Sequence, residues 1–167
     1  MSSIRQKTIE GLKTGDSFSI SRTFREQDVL RFSDITRDYN PVHFDARFIR
    51  VKDFSGRICH GLLIASMISE IGGQIGWLAS EMNFQFKKPV YFGDTVLCTL
   101  TITSINDRGW AEAEAVLQNQ AREIVVEASL KGILPGAEER RIMKTMVDEG
   151  DPSNKIFPPK NELNAGA

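Results

Sequence analysis

Apolar residues recur with a helical period through the middle of the chain. From Ile58 to Ser80 the only formal side-chain charge is Glu70, which predicts a helix that is buried around most of its circumference. At about 100° per residue, one face of this helix carries only small residues, namely Gly61, Ala65, Ser69, Gly72 and Gly76. Such a face allows either a sheet to pack closely or a thin ligand to approach, and the pattern is compatible with both.

Alternating apolar and polar residues predict strands on both sides of this helix. The alternation covers residues 17–24, 82–86, 96–102, 110–118 and 124–130. Turn signals at residues 106–109 and 119–122 separate the last three runs. Because such short connections join antiparallel neighbours, we expect one antiparallel sheet. Alanines at positions 111, 113 and 115 would let their strand pack closely against a thick helix.

Two shorter helical segments are predicted before the central helix. The first covers Glu26–Thr36, with Thr23 and Glu26 as a capping box at its start. Asn40 precedes a proline and is therefore driven toward an extended conformation, so residues 38–45 are expected to form a loop just past this helix. A second helical turn is expected over Asp45–Val51, with Asp45 as its N-cap. Residues 1–16 are polar and are predicted only to end in a turn.

These elements predict one α+β domain over residues 1–135, in which a curved antiparallel sheet wraps around a long central helix. The composition changes at Pro135. Residues 138–149 have apolar side chains at helical spacing, and the residues after 150 have the Pro, Asn, Lys and Gly content of an unfolded tail. We therefore treat 136–167 as a C-terminal extension made of a short helix and a disordered tail.

Composition narrows the possible partners. The chain of 167 residues is 41% hydrophobic, which suits one domain with a real core. A formal net charge of −1 and the lack of a dense Lys/Arg cluster argue against nucleic acid or a membrane surface as the partner. Cys59 and Cys98 have neither paired nor metal-ligand spacing, so no disulfide or zinc site is predicted and a reducing cytoplasm is the expected compartment.

The predicted loop contains a carboxylate and an imidazole five residues apart, Asp38 and His43. If both converge on one water molecule, they can divide the two proton transfers of a hydration, because imidazole titrates near neutrality. The alternative is structural: Asp38 caps a turn through its own backbone, and His43 fills a partly buried slot.

Gly61 supplies a possible third element of the same site. Near the start of the central helix its backbone N–H has no helical partner and carries the positive end of the helix dipole. A thioester oxygen aimed there would be polarised, although Gly61 can equally serve to ease packing. His60, one residue earlier, is expected to act as a packing or hydrogen-bonding residue rather than as a proton carrier. Two histidines seventeen residues apart, without further ligands at suitable spacing, predict no metal site.

Three segments together carry a family resemblance. They are Asp38-Tyr39-Asn40-Pro41-Val42-His43-Phe44-Asp45, then Arg57-Ile58-Cys59-His60-Gly61-Leu62-Leu63, then Phe86-Lys87-Lys88-Pro89-Val90-Tyr91-Phe92-Gly93-Asp94-Thr95. In this order and spacing they strongly resemble the MaoC-like, (R)-specific enoyl-CoA hydratases, which have the hot-dog fold. The likeness covers roughly residues 8–134.

The resemblance implies a set of site residues. Asp38 and His43 would be the catalytic pair that holds and activates water, with Asp38 drawing its proton while His43 helps to deliver one to the α-carbon. Gly61 would receive the thioester oxygen, and Ser69 and Asn40 would belong to the substrate-binding residues. No metal and no cofactor other than the CoA thioester substrate is implied. Family members are typically homodimers, so an acyl-CoA substrate and a second copy of the chain are the expected partners.

The predicted function is the reversible hydration of trans-2-enoyl-CoA to (R)-3-hydroxyacyl-CoA, as in fatty acid metabolism. Two alternatives remain on the same fold, an acyl-CoA thioesterase and a non-catalytic subunit that binds acyl thioesters. One position departs from the family pattern: Arg37 stands where a glycine is common before the aspartate. It would bring a positive charge to the mouth of the site, within reach of a CoA phosphate.

Overall fold

The computed structural model describes residues 3–151 and residue 154, and the following elements lie within them. The helices are α1 (Ser3–Glu10), α2 (Glu26–Thr36), α3 (Ala46–Val51), α4 (Gly61–Ala65), α5 (Met67–Ile75) and α6 (Ala137–Asp148), with a single 3-10 turn at Pro41–His43. The strands are β1 (Ser17–Thr23), β2 (Leu78–Phe86), β3 (Thr95–Ile105), β4 (Trp110–Gln118) and β5 (Ile124–Ile133).

The five strands form one antiparallel sheet in the order β1-β3-β4-β5-β2. One face of the sheet is apolar because alternate residues of each strand point the same way. On β3 and β4 the buried residues are Val96, Cys98, Leu100, Ile102, Ala111, Ala113, Ala115 and Leu117. The antiparallel sheet and its inward alanines confirm the prediction from the sequence.

The predicted central helix is present but is shorter and interrupted. Its apolar stripe, made of Ile64, Met67, Ile68, Ile71 and Ile75, is at most 2% exposed and fills the core beside the sheet. At Ser66 the helix breaks into α4 and α5, where the Ser66 hydroxyl donates a hydrogen bond to the Leu63 carbonyl at 2.6 Å. Serine side chains of this kind compete with the helical ladder and bend it.

The helix ends at Ile75 because Gly76 adopts a left-handed conformation with φ 74°. The N–H groups of Gly76 and Trp77 both donate to the Gly72 carbonyl, which closes the last turn. β2 therefore begins at Leu78, earlier than the predicted start after Ser80. On β5 the expected alternation also shifts, because an irregularity beside Gln118 buries Val125 next to Val126.

Two details at the first helices differ from the prediction. The polar N-terminal segment contains α1, which the sequence did not indicate, and its Ile4 and Thr8 are buried. The predicted capping box at Thr23 and Glu26 is wrong by two residues: the N-cap of α2 is Arg25, whose N–H donates to the Asp28 carboxylate at 2.8 Å. An acidic side chain in the first turn thus accepts the hydrogen bond of the N-cap backbone N–H group, as in a capping box.

The C-terminal extension is folded onto the domain as far as it is described. The predicted helix is present as α6, which contacts α1 and buries Met143 beside Gly76. Buried Arg5 and Asp151 lie 3.9 Å apart, so the segment that follows α6 is tied to α1. The predicted tail, apart from residues 151 and 154, lies outside the described residues. Among the described residues, every helix is too short or too polar to cross a lipid bilayer.

Candidate active site

A cavity of about 670 Å³ opens between the end of α2, the start of α4 and the end of β2. Its wall is mostly apolar, with a small polar group that the segments 38–43 and 59–61 contribute. These segments meet because the Cys59 N–H donates to the Val90 carbonyl at 2.7 Å and Ile58 bridges to Tyr91. An apolar cavity with few convergent polar groups is the usual form of a small-molecule site.

Asp38 lies on the rim of this cavity, immediately after α2. The helix ends at Arg37, which takes the left-handed conformation with φ 58° and so turns the chain away from the helix axis. One carboxylate oxygen of Asp38 accepts a hydrogen bond from the Asn40 N–H at 3.2 Å, and the side chain is 50% exposed. The carboxylate therefore both shapes its loop and remains accessible to a ligand in the cavity.

His43 is fixed by the single 3-10 turn that follows. The Asn40 side chain accepts from the Val42 N–H and so caps this turn. The His43 ring is buried, and its Nδ1 lies 2.8 Å from the Ile58 carbonyl oxygen. Burial is the main cause that lowers the pKa of His43 below its ordinary value of 6.5, and nearby His60 acts in the same direction. The uncharged imidazole is thus favoured.

His60 packs directly against His43, which the sequence did not predict. The two ring centroids are 3.7 Å apart with an angle of 31° between the planes. His60 is 2% exposed, and its Nε2 lies 3.0 Å from the Asp38 carbonyl oxygen. One nitrogen or carboxylate oxygen from each of Asp38, His43 and His60 lies within 4.8 Å of the others.

The triplet has the composition of a metal-binding group, which the spacing of the two histidines along the chain did not indicate. The expectation that the site works without a metal stays a prediction.

Gly61 is the first residue of α4 and contributes to the cavity wall. His60 is the N-cap, so the Gly61 N–H is among the first amides of the helix, which have no partner within it. A Cβ atom at this position would lie 2.7 Å from the Phe86 ring, which belongs to the same wall. The absence of a side chain keeps the space in front of this amide open.

Other residues expected at the site lie elsewhere. Ser69 is exposed on α5 and does not belong to the cavity wall formed by the described residues. Asn40 is exposed too, and its amide oxygen is occupied as the cap described above. Arg37 is likewise exposed at the helix end and outside that wall. Asp45 is the N-cap of α3, as expected, and accepts from the Arg47 N–H at 2.8 Å.

The cavity also contains residues that sequence reasoning did not single out. Lys87 and Lys88 line it beside Phe86, and each also pairs with a glutamate of β5 or its preceding turn. Both lysines belong to the third segment of the family resemblance. Two adjacent cations just before a proline were the sequence signal that could have identified them as site residues. Phe32 and Phe54 complete the apolar wall from α2 and from the turn after α3.

Fold and site together define a hot-dog-fold protein with a mostly apolar cavity at the start of its central helix. The sequence profile of the family described as "MaoC like domain" matches residues 10–124. The chain therefore belongs to the MaoC-like domain family.

Individual relatives share about a third of their aligned residues with this chain. An (R)-specific enoyl-CoA hydratase of Rhodospirillum rubrum is 35% identical over 100 residues, which cover 58% of this chain and 69% of the relative. A mitochondrial 3-hydroxyacyl-[acyl-carrier-protein] dehydratase of Arabidopsis thaliana is 35% identical over 98 residues, 58% of each chain.

Solved structures agree with this relationship. The (R)-hydratase from Aeromonas caviae involved in PHA biosynthesis superposes with a TM-score of 0.71 at 28% identity, over 75% of this chain and 99% of that one. The ChsH1–ChsH2 complex from Mycobacterium tuberculosis, at 18% identity and a TM-score of 0.67 over 74% of this chain and 98% of that one, shares the fold. The fold therefore occurs in a complex of differently named chains.

Proposed function

We propose that this chain is a hydratase–dehydratase that adds water reversibly to a trans-2-enoyl thioester and gives the 3-hydroxyacyl thioester. One observation carries the proposal: the Asp38 carboxylate and the His43 ring converge beside the first amide of α4 at the wall of an apolar cavity. Relatives named (R)-specific enoyl-CoA hydratase support the (R) product and the CoA thioester as the finer assignment.

His43 supplies the base in the mechanism that we propose. Because its Nδ1 is bonded to the Ile58 carbonyl, Nε2 is the nitrogen available to a water molecule. In the hydration direction Nε2 takes a proton from this water while the water oxygen forms a bond to Cβ of the enoyl group. The Cα=Cβ electron pair moves toward the thioester carbonyl, whose oxygen becomes negative near the Gly61 N–H.

The proton then returns from Nε2 to Cα, the carbonyl reforms, and His43 is neutral again. The Asp38 carboxylate orients the water and stabilises the transient imidazolium. This division of roles differs from the one expected from the sequence, in which Asp38 drew the proton. The reason is the burial of His43, which favours a neutral base over a protonated acid in the resting protein.

The CoA part of the substrate is proposed to lie toward Lys87 and Lys88. Both lysines are about half exposed at the cavity wall, with side chains 41% and 52% accessible. Their charge suits the phosphates of CoA, and the phosphopantetheine of an acyl carrier protein carries one of the same groups. Relatives are named for both carriers. We propose CoA as the carrier, with acyl carrier protein as the alternative.

The test of this function follows both possible products in one reaction. Crotonyl-CoA and longer enoyl-CoAs are incubated with the purified chain while the absorbance of the conjugated thioester and the release of free thiol are recorded. We expect the absorbance to fall without thiol release, and chiral chromatography to show the (R)-3-hydroxyacyl product. Thiol release without hydration would identify a thioesterase instead, and binding of acyl-CoA without turnover would identify a non-catalytic subunit; either result contradicts the proposal.

A homodimer remains our proposal for the assembly. β2 is one of the two edge strands of the sheet, and its apolar Leu78, Met82 and Phe86 are 68%, 38% and 53% exposed. Exposed edges with apolar residues are places where a second chain adds to a sheet. Light scattering on the purified chain is expected to give twice its mass of 18.7 kDa; a monomer mass, or dependence on a different co-expressed chain, would contradict this.

We likewise propose a cytoplasmic location. Cys59 and Cys98 are both free and buried. Unpaired thiols are typical of proteins from reducing compartments.

A further inference from the structure

The two histidines of the chain are held by carbonyl oxygens through different ring nitrogens. His43 uses Nδ1, at 2.8 Å from the Ile58 carbonyl, and His60 uses Nε2, at 3.0 Å from the Asp38 carbonyl. A carbonyl oxygen can only accept a hydrogen bond, so each of these nitrogens must carry its hydrogen. In their neutral forms the two contacting rings therefore have opposite tautomers, Nδ1–H in His43 and Nε2–H in His60.

The remaining ring nitrogens, Nδ1 of His60 and Nε2 of His43, have different environments. The Nδ1 of His60 is buried and has no hydrogen-bond partner among the described residues. An N–H group at this nitrogen would be buried without an acceptor. The Nε2 of His60, in contrast, faces the Asp38 carbonyl at 3.0 Å and lies 3.9 Å from a carboxylate oxygen of the same residue. The surroundings of the ring therefore favour a hydrogen on Nε2.

We propose that His60 is a positioning residue with a hydrogen held on Nε2, which keeps the backbone of Asp38 and the ring of His43 in the geometry that catalysis requires. The inference rests on the proposed hydratase function. Although His60 lines the cavity, the inference assigns it no proton transfer.

Three contacts show how His60 connects the parts of the site. Its Nε2–H is within reach of both the Asp38 carbonyl and the Ser33 hydroxyl oxygen, at 3.0 and 3.3 Å. Ser33 donates its own hydrogen to the Val29 carbonyl at 2.9 Å, so its oxygen is free to accept from His60. His60 thereby ties the end of α2 and the exposed loop after it to the buried ring that supports His43.

The first test reads the tautomers directly in the unmodified protein. Because the chain has two histidines, ¹⁵N-histidine labelling gives two imidazole spin systems, and the spectrum of His43→Asn assigns them. We expect the hydrogen of the neutral ring to lie on Nε2 in His60 and on Nδ1 in His43. A neutral His60 ring with its hydrogen on Nδ1 would overturn the proposal whether or not any variant folds.

The second test separates hydrogen bonding from packing. The side-chain nitrogen of glutamine can replace Nε2, whereas that of asparagine lies near the position of Nδ1 and does not reach the Asp38 carbonyl. We expect His60→Asn to lower kcat by about 10²-fold with little change in KM, as for a small misplacement of catalytic groups, and His60→Gln to recover most of this loss.

The outcomes of this comparison are distinct. Equal losses in both variants would show that only the ring matters and would overturn the positioning role of the hydrogen bond, as would wild-type kcat in His60→Asn. Thermal unfolding of both variants reveals whether a loss of activity is a loss of folded protein. If the wild-type protein lacks hydratase activity altogether, the proposed function fails, while the tautomers remain measurable by the first test.

Discussion

Replacing Asp38 with asparagine, or His43 with asparagine, is expected to lower kcat for crotonyl-CoA hydration by about 10²–10⁴-fold. Asp38→Asn keeps an oxygen that can accept from the Asn40 N–H but removes the charge that faces the water and the imidazolium. His43→Asn keeps a nitrogen near the position of Nδ1, which can still donate to the Ile58 carbonyl, but removes the base at Nε2. Both variants are measured by initial rates at saturating substrate.

The matched control for the carboxylate is Asp45→Asn. It makes the same chemical change seven residues away, at an N-cap where asparagine serves equally well and outside the cavity wall. Its rate should stay within about twofold of the wild-type rate, as surface changes generally do little. Wild-type rates in both site variants would remove the reason for assigning catalysis to this pair.

The dependence of the wild-type rate on pH provides an additional check on the role of His43. Because burial lowers the pKa of His43, the neutral base persists to lower pH than for a free histidine. The rate should therefore be constant near neutral pH and fall only below pH 6.5, as His43 becomes protonated. A rate that rises on acidification through this range would instead support His43 as a general acid.

Substituting alanine for Gly61 is expected to lower kcat/KM by about 10²-fold. The added Cβ would lie 2.7 Å from the Phe86 ring and would occupy the space through which a thioester oxygen reaches the Gly61 amide. Displacing a substrate by about 1 Å from such a donor typically costs about two orders of magnitude in rate. The measurement is the hydration rate over a range of crotonyl-CoA concentrations.

A double variant decides which consequence of the alanine matters. In Gly61→Ala/Phe86→Leu the collision with the ring is relieved, so recovery of activity would show that a displaced Phe86, rather than a blocked amide, caused the loss. We expect no recovery. Gly73→Ala is the matched control, because a Cβ there meets no atom within 4 Å and alanine favours a helix; it should leave the rate unchanged and raise stability slightly.

Most of the sheet could be predicted because its signals are local. Alternation on β3 and β4, and the Asn106–Gly109 turn, depend only on neighbouring residues, and Gly109 has the positive φ of 80° that such a turn requires. The N-cap of α3 by Asp45 was predictable for the same reason. The helix α1 was not, because the segment is mostly polar and its buried Ile4 and Thr8 make sense only once α5 and α6 pack against it.

The site was predictable in its residue types but not in its arrangement. Asp38, His43 and Gly61 stood out by their chemistry and by the motifs that contain them. The contact between His43 and His60 joins residues seventeen positions apart, and it forms because the Cys59 N–H meets the Val90 carbonyl, far along the chain. A local sequence pattern cannot predict a contact of this kind, because it depends on residues far apart in the chain. Ser69 and Asn40 were named through the resemblance alone, and both are exposed and outside the cavity wall.

The environment of Cys59 has a consequence for a protein that handles enoyl thioesters. Such substrates are themselves soft electrophiles, and a thiolate beside them would add to the double bond and become permanently alkylated. Cys59 lies in the wall of the cavity, yet burial raises its pKa to about 12. The unreactive thiol form is therefore strongly favoured near neutral pH, which would protect Cys59 from alkylation by an enoyl thioester in the proposed reaction.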